Sequence, residues 1–319
     1  MGAFLVRRMI STVVVFFFIT VAIFGLVHAA PGDPVAQLIP PSMYNSGSQA
    51  FIEQKRHELG LDRPLPVQYV HWLGNALHGD LGYSIGASRP VGEMITERIV
   101  PTVELMGLAI LLGLVIALPL GTVAALRRNR ATDYIATFVS LIAVSTPSFF
   151  LGILAIYVFA LKLRVLPSAG MSTPGNGGLG DLLLHLVIPV FILGLSMAGQ
   201  FTRYIRSSML SELGSEYVRT GLAKGMPMIS VLFKHVLRNA LIPIITVVAL
   251  SIPGLLGGAV VVEQVFAWPG MGQLAITAVT SQDYSVIIAF ALMVSILVLL
   301  SNLVADLLYA AVDPRVVLK

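Results

Sequence analysis

The groups in this sequence that could do covalent or metal chemistry are few, and their spacing is wrong for it. The six histidines, His28, His57, His71, His78, His185 and His235, form no His-x-x-x-His pair, so nothing predicts a metal site. No serine lies in Gly-x-Ser-x-Gly, the elbow that exposes a hydrolase nucleophile, and no pair of acids within an apolar run suggests a protease. The absence of cysteine removes disulfides and thiolate metal sites. There is no Gly-x-x-x-x-Gly-Lys-Ser/Thr loop to cradle phosphates, so any ATP chemistry must belong to a partner.

Two carboxylates stand inside apolar runs, where a buried charge costs several kcal/mol and so marks a place worth weighing. Glu104 falls near the outer end of one run, and Asp306 near the inner end of another, one turn after Asn302 on the same helical face. Both also fit solvated or capped positions at an interface, and neither lies at the mid-depth that a proton relay uses.

The elements that carry these residues are set by hydrophobicity. Of 319 residues, 56% are hydrophobic and 11% charged, and the mean hydropathy is +0.89. A water-soluble domain could not hide that much apolar surface. A bilayer core of about 30 Å needs roughly 20 apolar residues per helical span. Runs of that length lie at Met9–Ala30, Thr102–Leu126, Tyr134–Leu161, Leu182–Gln200, Ala240–Val262 and Val286–Tyr309. They are continuous rather than alternating, which excludes a transmembrane β-barrel. The expected fold is all-α, with about six transmembrane helices.

The net charge of +4 is explained by topology and not by nucleic acid, for which one polar domain should carry a basic patch. With the N-terminus inside, Arg7, Arg8, Arg127, Arg128, Arg130, Arg203, Arg206, Arg219, Lys224, Lys234, Arg238, Arg315 and Lys319 all fall on cytoplasmic stretches, 13 of the 20 basic residues. The positive-inside rule then places both termini in the cytoplasm. The Arg7-Arg8 pair, the apolar run and Val27-His28-Ala29 also resemble a signal peptide, but a run long enough to span, followed by five more, reads more simply as an uncleaved first helix.

The expected organisation is a first helix within 1–30, an external domain over 31–101, and a core of five spans over 102–319 with a cytoplasmic loop at 202–238. In the external stretch, a helical piece is expected near Ala50–Leu59, and Val67, Tyr69, Val70, Trp72 and Leu73 recur at helical spacing, which predicts packing on the outer ends of the spans. Such a domain could brace the bundle or dock a delivering protein. Lys162–Asp181 is rich in glycine and reads as an external connection. Pro147, Pro189, Pro243 and Pro253 each remove a backbone donor inside a span and predict bends. Gly254, Gly257 and Gly258 predict close helix packing. No internal repeat is present, so the inverted-repeat plan of many secondary transporters has no support.

The 202–238 loop is patterned for short amphipathic helices, with Tyr217, Val218, Leu222 and Ala223 on neighbouring turns and a bend expected at Gly221 and Gly225. By physics alone it fits equally a helix lying on lipid headgroups or a rigid projection into a groove on a soluble partner.

The string Glu216-Tyr217-Val218-Arg219-Thr220-Gly221-Leu222-Ala223-Lys224-Gly225, with Lys234 to Pro243 after it, resembles the coupling motif of binding-protein-dependent ABC importer permeases of the dipeptide, oligopeptide and nickel type. Further matching strings, in the same order, are Pro31-Gly32-Asp33-Pro34, Leu59-Gly60-Leu61-Asp62, His78-Gly79-Asp80-Leu81-Gly82, Arg203 to Leu210, Phe266-Ala267-Trp268-Pro269-Gly270-Met271-Gly272, Asp306 to Tyr309 and Asp313-Pro314-Arg315. The resemblance implies a type I permease fold in the cytoplasmic (inner) membrane and a second homologous permease subunit. It also implies two cytoplasmic ATPase subunits that carry ATP and Mg, and an external solute-binding protein. No cofactor is expected in this chain. Glu216, Tyr217, Val218, Arg219, Thr220, Ala223, Lys224 and Gly225 are the residues expected to couple to the ATPases. The general motif begins Glu-Ala-Ala where this chain has Arg219, Thr220 and Gly221, and Arg238 stands where many members have proline. Small peptides are the leading expected solute, with nickel chelates, glutathione-like compounds or oligosaccharides behind. An ion-coupled transporter would need mid-membrane charges, and an intramembrane enzyme a catalytic constellation; neither is present in the sequence.

Overall fold

The computed structural model describes residues 2–29, 53, 54, 57, 62–84, 86–252 and 259–312. The Pro31–Pro34 motif, most of the helical piece expected at Ala50–Leu59, Leu59–Leu61, Pro253, Gly254, Gly257, Gly258 and Asp313–Arg315 lie outside the described residues.

Apolar runs in lipid leave each backbone amide no partner but its own helix, and helices dominate accordingly. In chain order they are α1 (Gly2–Ala29), α2 (Leu65–Leu77), α3 (Val91–Leu126), α4 (Ala131–Ser145), α5 (Ser148–Ala155, continued by a π turn over Ile156–Lys162), α6 (Leu179–Leu213), α7 (Glu216–Ala223), α8 (Met228–Val231, continued by a π turn over Leu232–Val236), α9 (Leu237–Ser251), α10 (Val260–Val265), α11 (Met271–Thr280) and α12 (Tyr284–Val312). A two-stranded antiparallel hairpin, β1 (Tyr83–Ser84) and β2 (Arg89–Pro90), pairs Tyr83 with Pro90 and Ser84 with Arg89.

Four helices are long and apolar enough to cross a membrane alone, at Val6–Leu26, Val91–Leu126, Leu179–Leu213 and Tyr284–Leu307. Two bent pairs bring the number to six if each is one span. The pair Ala131–Ser145 and Ser148–Lys162 turns through 89° at Pro147, and Met228–Leu241 with Pro243–Ser251 turns through 41°. The breaks at Pro147 and Pro243 agree with the sequence expectation. At Pro189 there is no break, and α6 runs on through it. The second and fourth spans are also longer than their apolar runs, because hydropathy marks where lipid ends and not where the helix ends.

The chain divides into two compact units, Met1–Val100 with Met271–Leu299, and Pro101–Gly270 with Leu300–Lys319. In the first, α2 packs on α1 through aromatic contacts. Tyr69 and Trp72 lie 5.5 and 5.8 Å from the Phe24 ring, and the Tyr69 hydroxyl meets Thr20 Oγ1 at 2.8 Å. Val67 and Val70, expected in the same contact, are exposed instead. The hairpin is held by buried Asp283, whose Oδ2 accepts from Ser84 Oγ at 2.5 Å and from the Gly86 amide at 3.3 Å.

The second unit has two apolar clusters. One joins Leu105, Met106 and Ala109 of α3 to Leu186 and Ile192 of α6 and to Val262, Phe266 and Trp268. The Trp268 indole donates to the Pro101 carbonyl at 2.9 Å, and Thr102 Oγ1 donates to the fully buried Glu263 at 2.8 Å. The turn-rich connection after Lys162 is pinned by Asp181, which accepts from the Thr173 amide and hydroxyl at 2.6 and 2.7 Å. His185 Nδ1 faces the Gly170 carbonyl at 3.0 Å. The second cluster joins Ala117, Phe201, Ile205 and Met209 to Val218, Val231, Leu232, Val236 and Ala240. It underlies the candidate site.

Candidate docking segment

The segment begins where α6 ends. After Leu213 a single tight turn, with the Ser215 amide bonded to the Glu212 carbonyl at 3.1 Å, redirects the chain into α7. Glu216 opens that helix, where a carboxylate complements the positive end of the helix dipole.

α7 is amphipathic, and its pattern decides what each residue can do. Val218 is 3% exposed and packs into the second cluster, so it fastens the helix to the bundle. Glu216, Tyr217, Arg219, Thr220, Ala223, Lys224 and Gly225 are all exposed, as is Leu222. Of the eight residues expected to couple, seven therefore share the open surface, and Val218 supports them from beneath. Exposed Met228, Ile229 and Phe233 lie on the adjoining turns, and Lys234 and Arg238 add charge. An apolar surface edged by cations suits either occupant named above, a partner's groove or lipid headgroups.

Tyr217 is held sideways on this surface. Its hydroxyl donates to Glu212 Oε2 at 2.5 Å, and its ring stands edge-on to His235 with centroids 6.4 Å apart. Partial burial, then the bond to the Glu212 carboxylate, push its hydroxyl pKa above the ordinary value. Tyr217 thus acts as a neutral donor that braces the helix.

The helix stops at a Schellman motif. The Gly225 amide bonds to the Leu222 carbonyl at 2.9 Å and the Met226 amide to the Gly221 carbonyl at 3.2 Å. Gly225 takes φ +81°, a left-handed conformation that glycine adopts without steric cost. Pro227 then starts α8, where its missing donor is no loss. The two short helices and the bend at Gly225 are as the sequence predicts. The bend expected at Gly221 is not there: Gly221 lies inside α7, facing Val231.

Sequence reasoning missed the ion pair that holds α6 just before this segment. Arg206 Nε and Nη2 donate to Asp133 Oδ1 and Oδ2 at 2.5 and 2.8 Å, and Asp133 also accepts from the Asn129 amide at 3.0 Å. Glu263 was missed too, lying just beyond the apolar run at Ala240–Val262. Of the span carboxylates singled out, Glu104 is half-buried, with Oε2 enclosed and without a hydrogen-bond partner. Among the described residues, no group of three or more histidines and acids could hold a metal.

Two family models match the chain. One, described as binding-protein-dependent transport system inner membrane component, covers residues 117–318; its N-terminal companion covers residues 1–106. The chain belongs to this permease family. The oligopeptide transport system permease protein AppB of Bacillus subtilis is 41% identical to this permease over 318 residues, 99% of each chain. The glutathione transport system permease protein GsiC of Escherichia coli is 37% identical over 313 residues, 98% of each. Among solved structures, an inward-facing methionine ABC transporter, MetNI, matches with a TM-score of 0.55 at 18% identity, over 69% of this chain and 96% of that one. That likeness speaks for the fold. The permease is therefore a multi-pass, mainly helical membrane protein of the type I ABC importer fold, and its function is that of a permease subunit in such an importer.

Proposed function

We propose that this permease carries small peptides inward across the cytoplasmic (inner) membrane, with both termini in the cytoplasm. In this reading it pairs with a second homologous permease. Two cytoplasmic ATPases bind ATP and Mg, each gripping one coupling segment, and an external solute-binding protein delivers the cargo. The observation that carries the coupling role is the open face of α7, fastened by Val218 and ended by the left-handed turn at Gly225. A helix lying on headgroups needs no such rigid stop, whereas a lever seated in a partner's groove does. ATP-driven closure of the ATPase pair would move α7, and the spans would open alternately to the two sides.

The peptide assignment is supported by the oligopeptide relative, and glutathione, itself a small peptide, by the second. Co-purification tests the assembly: tagged permease should bring down ATPase subunits and a second permease, and a stable lone monomer would sink the proposal. Titrating the partner binding protein with tripeptides, glutathione and nickel chelates then selects the cargo. Tight binding of nickel chelates alone would overturn the peptide assignment.

A further inference from the structure

Arg206 lies seven residues before Leu213, the last residue of α6, about 10 Å along that helix at 1.5 Å per residue, and the tight turn into α7 follows. The contacts α6 makes nearby are of two kinds. At Gly199 of α6 a Cβ would meet the Ser140 carbonyl at 2.6 Å, and at Gly121 of α3 one would meet Ile205 Cγ2 of α6 at 2.6 Å, so glycines let α6 lie close to α4 and seat its Ile205 against α3. These contacts are apolar packing, which brings the helices close but makes no directed bond between them. The second kind is the Asp133–Arg206 fork. Asp133 is 2% exposed and accepts three hydrogen bonds, two from one guanidinium and one from the Asn129 amide in the turn joining α3 to α4. A bidentate pair fixes both distance and angle through directed bonds, which apolar packing does not.

We propose that Asp133 and Arg206 are positioning residues that latch α6 to the start of α4, so that displacement at α7 is passed to the span that breaks at Pro147. The inference rests on α7 being the docking segment. Stability alone is a poor reason for the pair, in which Asp133 is buried and the Arg206 side chain 29% exposed, because apolar residues often replace such pairs without loss. Its geometry supplies register. With the latch shut, α4 and α6 move as one body, and the 89° break between α4 and α5 becomes the nearest place where that motion can be absorbed. Without it, α6 is held to α4 by apolar packing alone, and the stroke is weakened before it reaches the third span.

The test uses the full complex in proteoliposomes, with a radiolabelled pool of mixed tripeptides as cargo. Arg206→Gln strands the buried Asp133 carboxylate and Asp133→Asn discharges the partner of Arg206, so either can lower assembly for that reason alone. The deciding variant is therefore Asp133→Leu with Arg206→Met, which fills the site with apolar side chains and removes both charges. The latch predicts that this double variant assembles and melts at or above the wild-type temperature. It should nevertheless import at least ten-fold less peptide per ATP hydrolysed, with Arg206→Lys in between. Import per ATP within two-fold of wild type would overturn the latch, and so would failure of the double variant to assemble, which would make the pair a folding element. Gly225→Trp is the control: if it too couples normally, the docking reading has failed; if it alone uncouples, only the latch has.

Discussion

The Met226 amide donates to the Gly221 carbonyl at 3.2 Å, across a reversal in which Gly225 holds φ at +81°. A Cβ at Gly225 would meet nothing within 4 Å. Alanine there suffers only from backbone conformation, about 1 kcal/mol. Tryptophan carries the same backbone cost and adds an indole to the docking face. Gly225→Ala should keep measurable uptake, while Gly225→Trp should insert normally and lose uptake and cargo-stimulated ATP hydrolysis. Normal uptake by well-expressed Gly225→Trp would falsify the docking role.

Gly221 should behave in the opposite way. It lies inside α7, and an added Cβ would meet Val231 Cγ2 at 3.4 Å, an ordinary contact. Gly221→Ala should stabilise the helix by roughly 0.5–1 kcal/mol by removing unfolded-state freedom. Limited proteolysis of the detergent-solubilised complex checks it: cleavage between Leu213 and Pro227 should slow. Faster cleavage would mean that the glycine serves a close approach absent from the isolated chain.

The contrast between the two glycines shows what the sequence could and could not reveal. Gly225 follows an amphipathic stretch and precedes Pro227 by two residues, a local stop signal, whereas Gly221 looks identical until its neighbours are known. The spans were readable because hydropathy is a sum over adjacent residues, and the break at Pro147 because proline acts on its own helix. Asp133 and Arg206 lie 73 positions apart, and Thr102 and Glu263 161, so no local pattern joins them. Val218 lies on the expected helix but is buried against the bundle: periodicity divides a helix into faces without saying which is covered.

Val218 supplies the next test. At 3% exposure it is the only buried residue of α7. Val218→Ala removes two methyl groups from a packed cluster and should cost about 1.5–2.5 kcal/mol. Because the residue fastens the helix without facing the partner, uptake should recover when the complex is assayed at lower temperature. A loss of ATPase binding that persists at every temperature would mean that Val218 touches the partner directly.

Gly270 and Glu263 make a coupled pair. The Glu263 carboxylate occupies the space a Cβ at Gly270 would need, and Thr102 Oγ1 holds the carboxylate there at 2.8 Å. The obstruction is not the free end of a flexible side chain, since Glu263 is fully buried and Trp268 closes the same turn by bonding its amide to the Glu263 carbonyl at 2.8 Å. Gly270→Ala should therefore destabilise by about 1–3 kcal/mol through overpacking. Glu263→Ala alone should also destabilise, by leaving a cavity and removing the carboxylate to which the Thr102 hydroxyl donates. Combined, the two changes should cost less than their sum by at least about 1 kcal/mol, because the second removes what the first collides with. Thermal unfolding of the four proteins in one detergent measures the cycle. Strict additivity would show that the turn relaxes around the added methyl group without displacing the carboxylate.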